Sequence, residues 1–413
     1  MGGLEEFSLG RFHGLIGVAL LLAIAVALSN NRRRIDWRTV LLGLGLQVIF
    51  GLLTLRTRTG QWLFEGGDRL AQQLLAFSDS GTSLLLLSHV DHKVSSSLEN
   101  LAFRTLPTVI FFSALTSLLY HLGIMQLVVR AFAWVMVRTM GTSGAESLSC
   151  AADIFVGSTE APLLVRPFLP TMTRSELMAI MSAGYATIAG GVMMVYIAML
   201  KDQVPGIAGH LLTASVMSAP AALAFAKLIY PEDGQPVTRG TLTVPIERTS
   251  VNMFEAIANG ATDGLKLTAN IAAMLLAFTA LVAMANAALS YAGLSLEQLF
   301  GIPFRPIAWA LGATGGDTTV LADLLGKKTA LNEFLAYQDM QKVVEKISPR
   351  TAIIASYALC GFANFASIGI QIGGLGSLAP ERKRDVADLS LRAMTAGAMA
   401  SCLSGCVAGM LVG

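Results

Sequence analysis

The chain has 413 residues, of which 54% are hydrophobic and 14% are charged, and its mean hydropathy is +0.63. A soluble domain carries about a quarter charged residues, so this composition excludes an ordinary soluble protein and indicates one that resides in a lipid bilayer. The net charge of +2, without a long basic cluster, excludes nucleic acid as a partner.

Eight apolar stretches are long enough to cross a bilayer as helices, which takes about 20 residues each. The first follows a segment without a basic n-region or cleavage site, so we expect it to be retained as a span rather than removed as a signal peptide. The predicted spans are Phe12–Leu28, Thr39–Leu55, Phe103–Leu122, Leu177–Leu200, Gly209–Tyr230, Leu265–Tyr291, Thr351–Ile372 and Val386–Val412.

Three further apolar stretches are poor spans. Gln61–Ser78 alternates apolar with charged and amide side chains, which predicts a helix lying in the membrane interface. Ser147–Pro170 and Pro306–Leu325 are interrupted by Gly, Pro, Ser and acidic residues. Non-helical backbone at membrane depth persists only where it faces protein or a wet cavity, so both are predicted to be re-entrant helical hairpins.

Basic residues between the spans predict the orientation. With eight spans these loops fall on one side, which the positive-inside rule makes cytoplasmic, and both termini are then periplasmic. Arg56 and Arg58 are a local exception beside the interfacial helix. The basic residues that carry this prediction are Arg32, Arg33, Arg34, Arg38, Lys227, Arg239, Arg248, Arg382, Lys383 and Arg384.

The order hairpin, span, span occurs twice after residue 140, separated by one long span. The span count makes the first hairpin enter from the cytoplasm and the second from outside, which predicts an inverted repeat in an all-α polytopic fold. We divide the chain into mainly scaffold spans with the interfacial helix (1–140), a first transport repeat (141–230), a loop and long scaffold span (231–300) and a second transport repeat (301–413).

The first hairpin places polar residues inside an apolar region, namely Asp153, Ser158, Thr159 and Glu160. A charge at mid-membrane is unfavourable by about 2.5–3.5 kcal/mol on insertion scales and usually marks a substrate or ion pathway. The alternative is a helix cap by Ser158 or Thr159 with Glu160 in the first turn. Capping does not explain a carboxylate at that depth, so we favour a binding site.

The span after this hairpin carries Thr187 and Ile188 just before Gly190-Gly191. Glycines in midspan weaken a helix, and freed carbonyls with a threonine hydroxyl can ligate a hard cation. Close packing of helices through small residues explains the pattern equally well.

The second half places Glu333 after the predicted hairpin and Phe362, Asn364 and Ser367 in the seventh span. Glu333 can accept two hydrogen bonds from vicinal hydroxyls, and Phe362 can pack on a ring. Asn364 can serve a polar guest together with Ser367 or simply bridge two helices. Paired acids such as Glu160 and Glu333 also occur in glycosidases, but no solvated cleft is evident, so an enzyme is not expected.

These residues lie in segments that resemble the concentrative nucleoside transporters, and the resemblance covers the chain in order. The family motif G-x-K-x-x-x-N-E-F-x-A-Y is matched from Gly326 to Tyr337, and the segments around Val156-Gly157, Thr159-Glu160 and Gly361-Phe362 match as well. The matching residues are Gly326, Lys328, Asn332, Glu333, Phe334, Ala336, Tyr337, Ile154, Phe155, Val156, Gly157, Thr159, Glu160, Ala161, Pro162, Cys360, Gly361, Phe362, Ala363 and Asn364.

The resemblance implies a homotrimer in a bacterial inner membrane, with a hairpin-containing part that moves as an elevator. It implies that Thr159 and Glu160 meet the nucleobase near Val192 and Phe362, and that ribose hydroxyls are held by Glu333, Asn364 and Ser367. It also implies a Na⁺ site that is formed by Asp153, the Val156 carbonyl, Thr187 and the Ile188 carbonyl.

Two residues depart from the family pattern. Asp153 stands where sodium-coupled members usually have asparagine, so that it can add charge to a Na⁺ site or carry a proton itself. Ser158 stands where they usually have glutamine, which removes a base-directed amide and leaves space. The coupling ion and the preferred base therefore do not follow from the resemblance.

We expect a nucleoside symporter driven by Na⁺ or H⁺, without an organic cofactor. The alternatives are a channel or facilitator for polar solutes, and a symporter for a modified nucleoside or a nucleobase. Ionophores distinguish the first alternative, because only a symporter accumulates its solute above the external concentration.

Overall fold

The computed structural model describes residues 2–86, 98, 100–240, 250–293 and 295–412, and Arg248 lies outside these ranges. The described chain is helical, apart from one isolated antiparallel bridge between Ser143 and Arg239. Its α-helices are α1 Gly2–Ala27, α2 Trp37–Arg56, α3 Arg58–Leu86, α4 Thr108–His121, α5 Ile124–Met140, α6 Gly144–Ala152, α7 Arg174–Ala186, α8 Gly190–Leu200, α9 Ile207–Ile229, α10 Met253–Leu289, α11 Leu296–Gly301, α12 Arg305–Leu311, α13 Gly316–Ala330, α14 Glu333–Val343, α15 Pro349–Leu359, α16 Phe365–Leu378 and α17 Lys383–Leu411.

The all-helical, multi-pass character expected from composition is confirmed. Six helical stretches in the described residues have the length and apolarity to cross a membrane. Of two shorter apolar helices, His13–Ala27 lies within the first predicted span and Phe365–Leu378 overlaps the seventh. The helix predicted at Gln61–Ser78 lies within α3, which is longer at both ends. α5 was not predicted, because its apolar residues are interleaved with Gln126, Arg130 and Arg138.

The first predicted hairpin is a pair of short helical segments. α6 runs inward, residues 153–160 form the turn, and the 3₁₀ segment Ala161–Thr171 returns; we call this the first helix pair. Ser143 caps α6 and donates a hydrogen bond to Glu176 Oε1 at 2.6 Å. The outer end of the pair is thereby fixed to the beginning of α7.

The second predicted hairpin, Pro306–Leu325, is misplaced. The turn between α12 and α13 lies at an outer end, because Arg350, at the beginning of α15, donates to the Gly312 carbonyl at 2.9 Å. Ser348, the N-cap of α15, donates through its hydroxyl to Asp317 at 2.8 Å. The inward turn is instead at Leu331 and Asn332, so the second helix pair is formed by α13 and α14.

The loops with basic residues meet at one end of the molecule, beside the first helix pair. Thr39 at the beginning of α2 donates to the Met140 carbonyl at 2.9 Å, and Arg382 before α17 donates to the Met172 carbonyl at 2.6 Å. At the other end, Gln341 of α14 donates to the Met199 carbonyl of α8 at 2.8 Å. The two helix pairs therefore begin at opposite ends of the molecule.

Buried charges join several helices where the basic loops meet. Lys227 of α9 is 2.8 Å from Glu146 of α6 and 3.1 Å from Glu232, and it donates to Ser175 of α7 at 3.0 Å. Burial alone would raise the pKa of Glu232, but the Lys227 charge and several hydrogen bonds hold that pKa below its usual value. Glu232 therefore stays ionised and shares the Lys227 charge with Glu146.

The helices divide by burial. In the most apolar stretch of 18 consecutive residues, 89% of the residues are buried in α9 but 6% in α10. α10 packs mainly on α4, whereas α1 and α2 pack on α9 and α17 among the central helices. α4 and α10 therefore form a peripheral pair. α1 and α2, in contrast, pack together with the part of the chain that contains the helix pairs.

Candidate functional site

Two broken helices cross at the centre of the molecule. α7 and α8 are interrupted at residues 187–189, and α15 and α16 at residues 360–364. The Phe362 amide donates to the Thr187 carbonyl at 3.2 Å, which joins the two interruptions. Gly361 has φ +148°, and a Cβ there would lie 2.8 Å from the Tyr185 carbonyl oxygen, so only glycine fits this crossing. Four helix ends converge at this point.

Glu333 lies at this crossing as the first residue of α14, and its side chain is 5% exposed. Asn332 caps the helix by accepting from the Leu335 amide at 2.9 Å. Tyr196 of α8 donates its hydroxyl to Glu333 Oε1 at 3.0 Å, and Asn364 donates its amide to Oε2 at 2.9 Å. A carboxylate at a helix N-terminus is favoured electrostatically, and each oxygen keeps a lone pair for a further donor.

Asn364 is the N-cap of α16, and its carbonyl oxygen accepts from the Ser367 amide at 2.8 Å. Glu333, Asn364 and Ser367 are therefore connected by hydrogen bonds. Phe362 lies two residues before Asn364 in the same interruption. The four residues predicted from the second half are thus brought to one place.

Tyr196 belongs to this network and Lys328 lies in the adjoining helix α13, and neither was predicted as a site residue. Tyr196 stacks on Tyr337 with ring centroids 4.3 Å apart, which directs its hydroxyl toward Glu333. Lys328 is 2% exposed and donates to the Ala358 carbonyl at 2.9 Å in the last turn of α15, which fixes α13 to the second broken helix. A buried tyrosine hydroxyl needs a partner, and that was the available signal for Tyr196.

The turn of the first helix pair faces a different environment. Glu160 is exposed, and its Oε2 lies 3.5 Å from the Gly157 amide. It lines a cavity of about 230 Å³ between the turn, α4, α8 and α10, together with Val156, Tyr120 and Asp263. Within the described residues no hydrogen bond joins Glu160 to the Glu333 network.

Ser158 and Thr159 extend from this turn to the broken helices. A Cβ at Gly374 of α16 would lie 3.2 Å from Thr159 Cγ2, and a Cβ at Gly184 of α7 would lie 2.6 Å from Ser158 Cβ. Val192 is buried in the first turn of α8. The turn therefore contacts α16, the helix that carries Ser367.

The residues predicted to bind a cation lie behind the same turn. Asp153 is completely buried, and neither carboxylate oxygen has a hydrogen-bond partner in the described part of the chain. The Phe155 carbonyl, next to Val156, accepts from the Gly190 amide at 3.0 Å, which joins the turn to the interruption containing Thr187 and Ile188. A buried, unpaired carboxylate is very unfavourable unless a cation or a proton neutralises it, so these residues fit a cation site.

Three sequence profiles match this chain. They are described as Na⁺ dependent nucleoside transporter N-terminus (residues 16–88), Nucleoside recognition (residues 102–203) and Na⁺ dependent nucleoside transporter C-terminus (residues 210–409).

Among curated relatives, solute carrier family 28 member 3 of Mus musculus is 43% identical over 99% of this chain and 59% of its own length. This chain thus spans somewhat more than half of that relative. An uncharacterized transporter of Haemophilus influenzae is 41% identical over 97% of both chains.

Solved structures agree in fold. CNTnw in an inward-facing, substrate-bound state has a TM-score of 0.89 and 37% identity, and covers 97% of this chain and 98% of its own. A CNTnw variant in an outward-facing state has the same TM-score and identity over 97% of both chains. On sequence motifs, fold and relatives together, the chain belongs to the concentrative nucleoside transporter family.

Proposed function

We propose that this protein is a symporter that imports nucleosides across a bacterial inner membrane together with Na⁺. The proposal rests on the environment of Glu333. Its buried carboxylate accepts hydrogen bonds from two neutral donors where two broken helices cross. Vicinal ribose hydroxyls can donate to its free lone pairs, while Asn364 and Ser367 supply further polar contacts. Discontinuous helices of this kind form the binding sites of many secondary transporters.

The base lies toward the first helix pair in this proposal. Thr159 contacts α16 and Glu160 faces the cavity, so a nucleoside held at Glu333 by its ribose would extend its base toward the turn. Phe362 and Val192 supply apolar contacts to the base. Water in the cavity links Glu160 to the base in this arrangement.

Asp153, the Val156 and Ile188 carbonyls and Thr187 form the cation site. Na⁺ is favoured because the matching profiles describe Na⁺-dependent transporters. The unpaired carboxylate of Asp153 gives this site a negative charge that an asparagine would lack. Asp153 is also the group that would carry a proton if H⁺ were coupled.

The coupling ion is tested by uridine uptake with Na⁺ and external pH varied independently, in wild type and Asp153→Asn. Uptake should require Na⁺ in both proteins, because the carbonyl and hydroxyl ligands remain. Wild-type uptake that ignores Na⁺, follows an acid-outside gradient and is lost in the variant would assign coupling to H⁺.

The two ends of the fold support a proposed arrangement in the membrane. We propose eight spans and two re-entrant helix pairs related as an inverted repeat, with the basic loops cytoplasmic and both termini periplasmic. The broken helices run in opposite directions between the two ends. The proposal includes a homotrimer and an elevator movement. Its scaffold consists of α4 and α10 only, rather than most of residues 1–140.

Equilibrium binding to the purified protein in detergent tests the substrate class. Uridine and adenosine should bind in the presence of Na⁺, whereas uracil, adenine and ribose should compete poorly because each offers only half of the contacts. Competition by free bases equal to that by nucleosides would overturn the ribose assignment and indicate a nucleobase transporter.

A further inference from the structure

Gln371 is a buried amide with one unused acceptor. It lies on α16, is 2% exposed, and donates through Nε2 to the Met181 carbonyl of α7 at 3.1 Å. Its Oε1 has no hydrogen-bond partner in the described residues. A buried acceptor without a donor is unfavourable by about 1–3 kcal/mol, so such an atom calls for an explanation.

The orientation of this amide is set by its neighbour. The Met181 carbonyl can only accept a hydrogen bond, so the NH₂ group of Gln371 must face it and Oε1 must point elsewhere. Residues 364, 367 and 371 are spaced by three and four, which places them along one face of a helix. Gln371 therefore shares the α16 face with Asn364 and Ser367, which the proposed function assigns to the ribose.

Gln371 also lies beside Ser158. A Cβ at Gly184 would be 2.6 Å from Ser158 Cβ and 2.7 Å from Gln371 Nε2, so both side chains adjoin this glycine. Ser158 has a short side chain in the turn to which the proposed function assigns the base. The Gln371 amide is thus a neighbour of the short side chain at position 158.

We propose that Gln371 is a specificity-determining residue whose Oε1 accepts a hydrogen bond from the exocyclic amino group of a nucleobase. In this proposal Gln371 on α16 supplies the amide that the glutamine usual at position 158 would supply. Because Gln371 is buried, a donor must protrude from the base ring to reach its Oε1. The exocyclic amino groups of adenosine and cytidine protrude in this way. This inference rests on the proposed nucleoside function and adds the base class to it.

The experiment measures how strongly two matched pairs of nucleosides inhibit the uptake of labelled uridine. Adenosine is compared with purine riboside, and cytidine with pyrimidin-2-one riboside; each second member lacks only the amino group. Wild type should prefer the amino compounds by roughly five- to tenfold, as expected for one neutral hydrogen bond. In Gln371→Leu this preference should fall to about one, with the affinity for the deaminated analogues kept or improved.

Gln341→Leu is the matched control. Gln341 also donates through Nε2 to a main-chain carbonyl, that of Met199, but it lies at the outer end of α14. This variant should keep the wild-type preference. If Gln371→Leu does not accumulate in the membrane, Gln371→Met has similar length and the same expected result. Ser158→Gln combined with Gln371→Leu should restore part of the preference by supplying an amide from the turn.

Two results would overturn the inference. An equal loss of affinity for both members of each pair in Gln371→Leu would assign the residue a structural role through Met181. An unchanged preference would show that the amino group is read elsewhere. Neither result touches the proposed function, which fails separately if wild type takes up none of the nucleosides; the inference then falls with it.

Discussion

Glu333 combines burial with incomplete pairing. Tyr196 and Asn364 orient its two oxygens without neutralising the charge, so the carboxylate remains a strong acceptor for hydroxyl donors. Asn364 also caps α16, which ties the position of its amide to the interruption between α15 and α16. The affinity for a ribose is therefore expected to depend on this one side chain more than on any other.

Replacing Glu333 with Gln should lower uridine uptake by roughly 100-fold or more. The amide loses two charge-assisted hydrogen bonds to ribose, worth about 1.5–3 kcal/mol each, and its NH₂ group must face the donor of Tyr196 or Asn364. The measurement is initial uptake rate in vesicles, normalised to the amount of protein in the membrane. Glu345→Gln, at an exposed position, is the control and should match wild type. Normal uptake by Glu333→Gln would remove the ribose assignment.

From the family motif and an amide in midspan, the sequence predicted Glu333 and Asn364 as site residues, and the structure joins them by a hydrogen bond. Their part in substrate binding stays a prediction. Tyr196 and Lys328 were not predicted as site residues because their contacts, with Glu333 and with the Ala358 carbonyl, are made to distant segments. Nothing in the neighbouring residues marks such contacts.

At the scale of elements, the first helix pair was predicted where it lies, whereas the second was displaced. The hairpin was predicted at the turn from Gly312 to Gly315 because glycines interrupt helices. This turn lies at an outer end of the molecule. The inward turn at Leu331 and Asn332 contains neither Gly nor Pro. Its only local signals are the lysines that end α13 and the asparagine that caps α14.

The buried Lys227 holds the outer end of the first helix pair to α7 and α9. Lys227→Met should lower the free energy of unfolding by about 3–5 kcal/mol, because Glu146 is left buried without its partner. The measurement is the thermal-unfolding midpoint of the purified protein in detergent. Lys346→Met, at an exposed position, should leave the midpoint unchanged.

A second variant distinguishes the loss of the Lys227–Glu146 attraction from the effect of leaving the Glu146 charge buried without a partner. Lys227→Met combined with Glu146→Gln should regain much of the lost stability, since the remaining Glu232 is partly exposed and can be hydrated. A double variant less stable than Lys227→Met alone would mean that Glu146 is stabilised by groups other than Lys227.

At the scale of the whole molecule, composition indicated a protein that resides in a bilayer, and the apolar stretches predicted that it is helical and multi-pass. The predicted division into scaffold and transport parts stays a prediction, and it depends on which spans pack together, which the sequence does not show. α1 and α2 precede the helix pairs in sequence but pack among the central helices, while α4 and α10 form a peripheral pair. We therefore propose that α4 and α10 are the scaffold past which the rest moves.

A disulfide across this boundary tests the movement. A Cβ at Gly191 of α8 would lie 3.7 Å from Val109 Cγ1 of α4, and both residues line the cavity. Oxidation of Val109→Cys/Gly191→Cys should reduce uptake to background, and a reducing agent should restore it. The same oxidation of wild type, whose four native cysteines are free and buried, should leave uptake unchanged.

The matched control joins two helices of the moving part. A Cβ at Gly376 of α16 would lie 3.6 Å from Lys383 Cβ of α17, which suits a disulfide. Oxidised Gly376→Cys/Lys383→Cys should retain uptake. Full uptake by a verified Val109–Gly191 cross-link would contradict movement along this boundary.

Concentrative uptake by the purified protein is the most direct test of Na⁺-driven nucleoside import. Proteoliposomes with an inward Na⁺ gradient receive labelled uridine, and its internal concentration is followed over time. Labelled uridine should accumulate above the external concentration, and this accumulation should collapse when an ionophore dissipates the Na⁺ gradient. Uridine that only equilibrates, with or without the gradient, would contradict symport and indicate a facilitator.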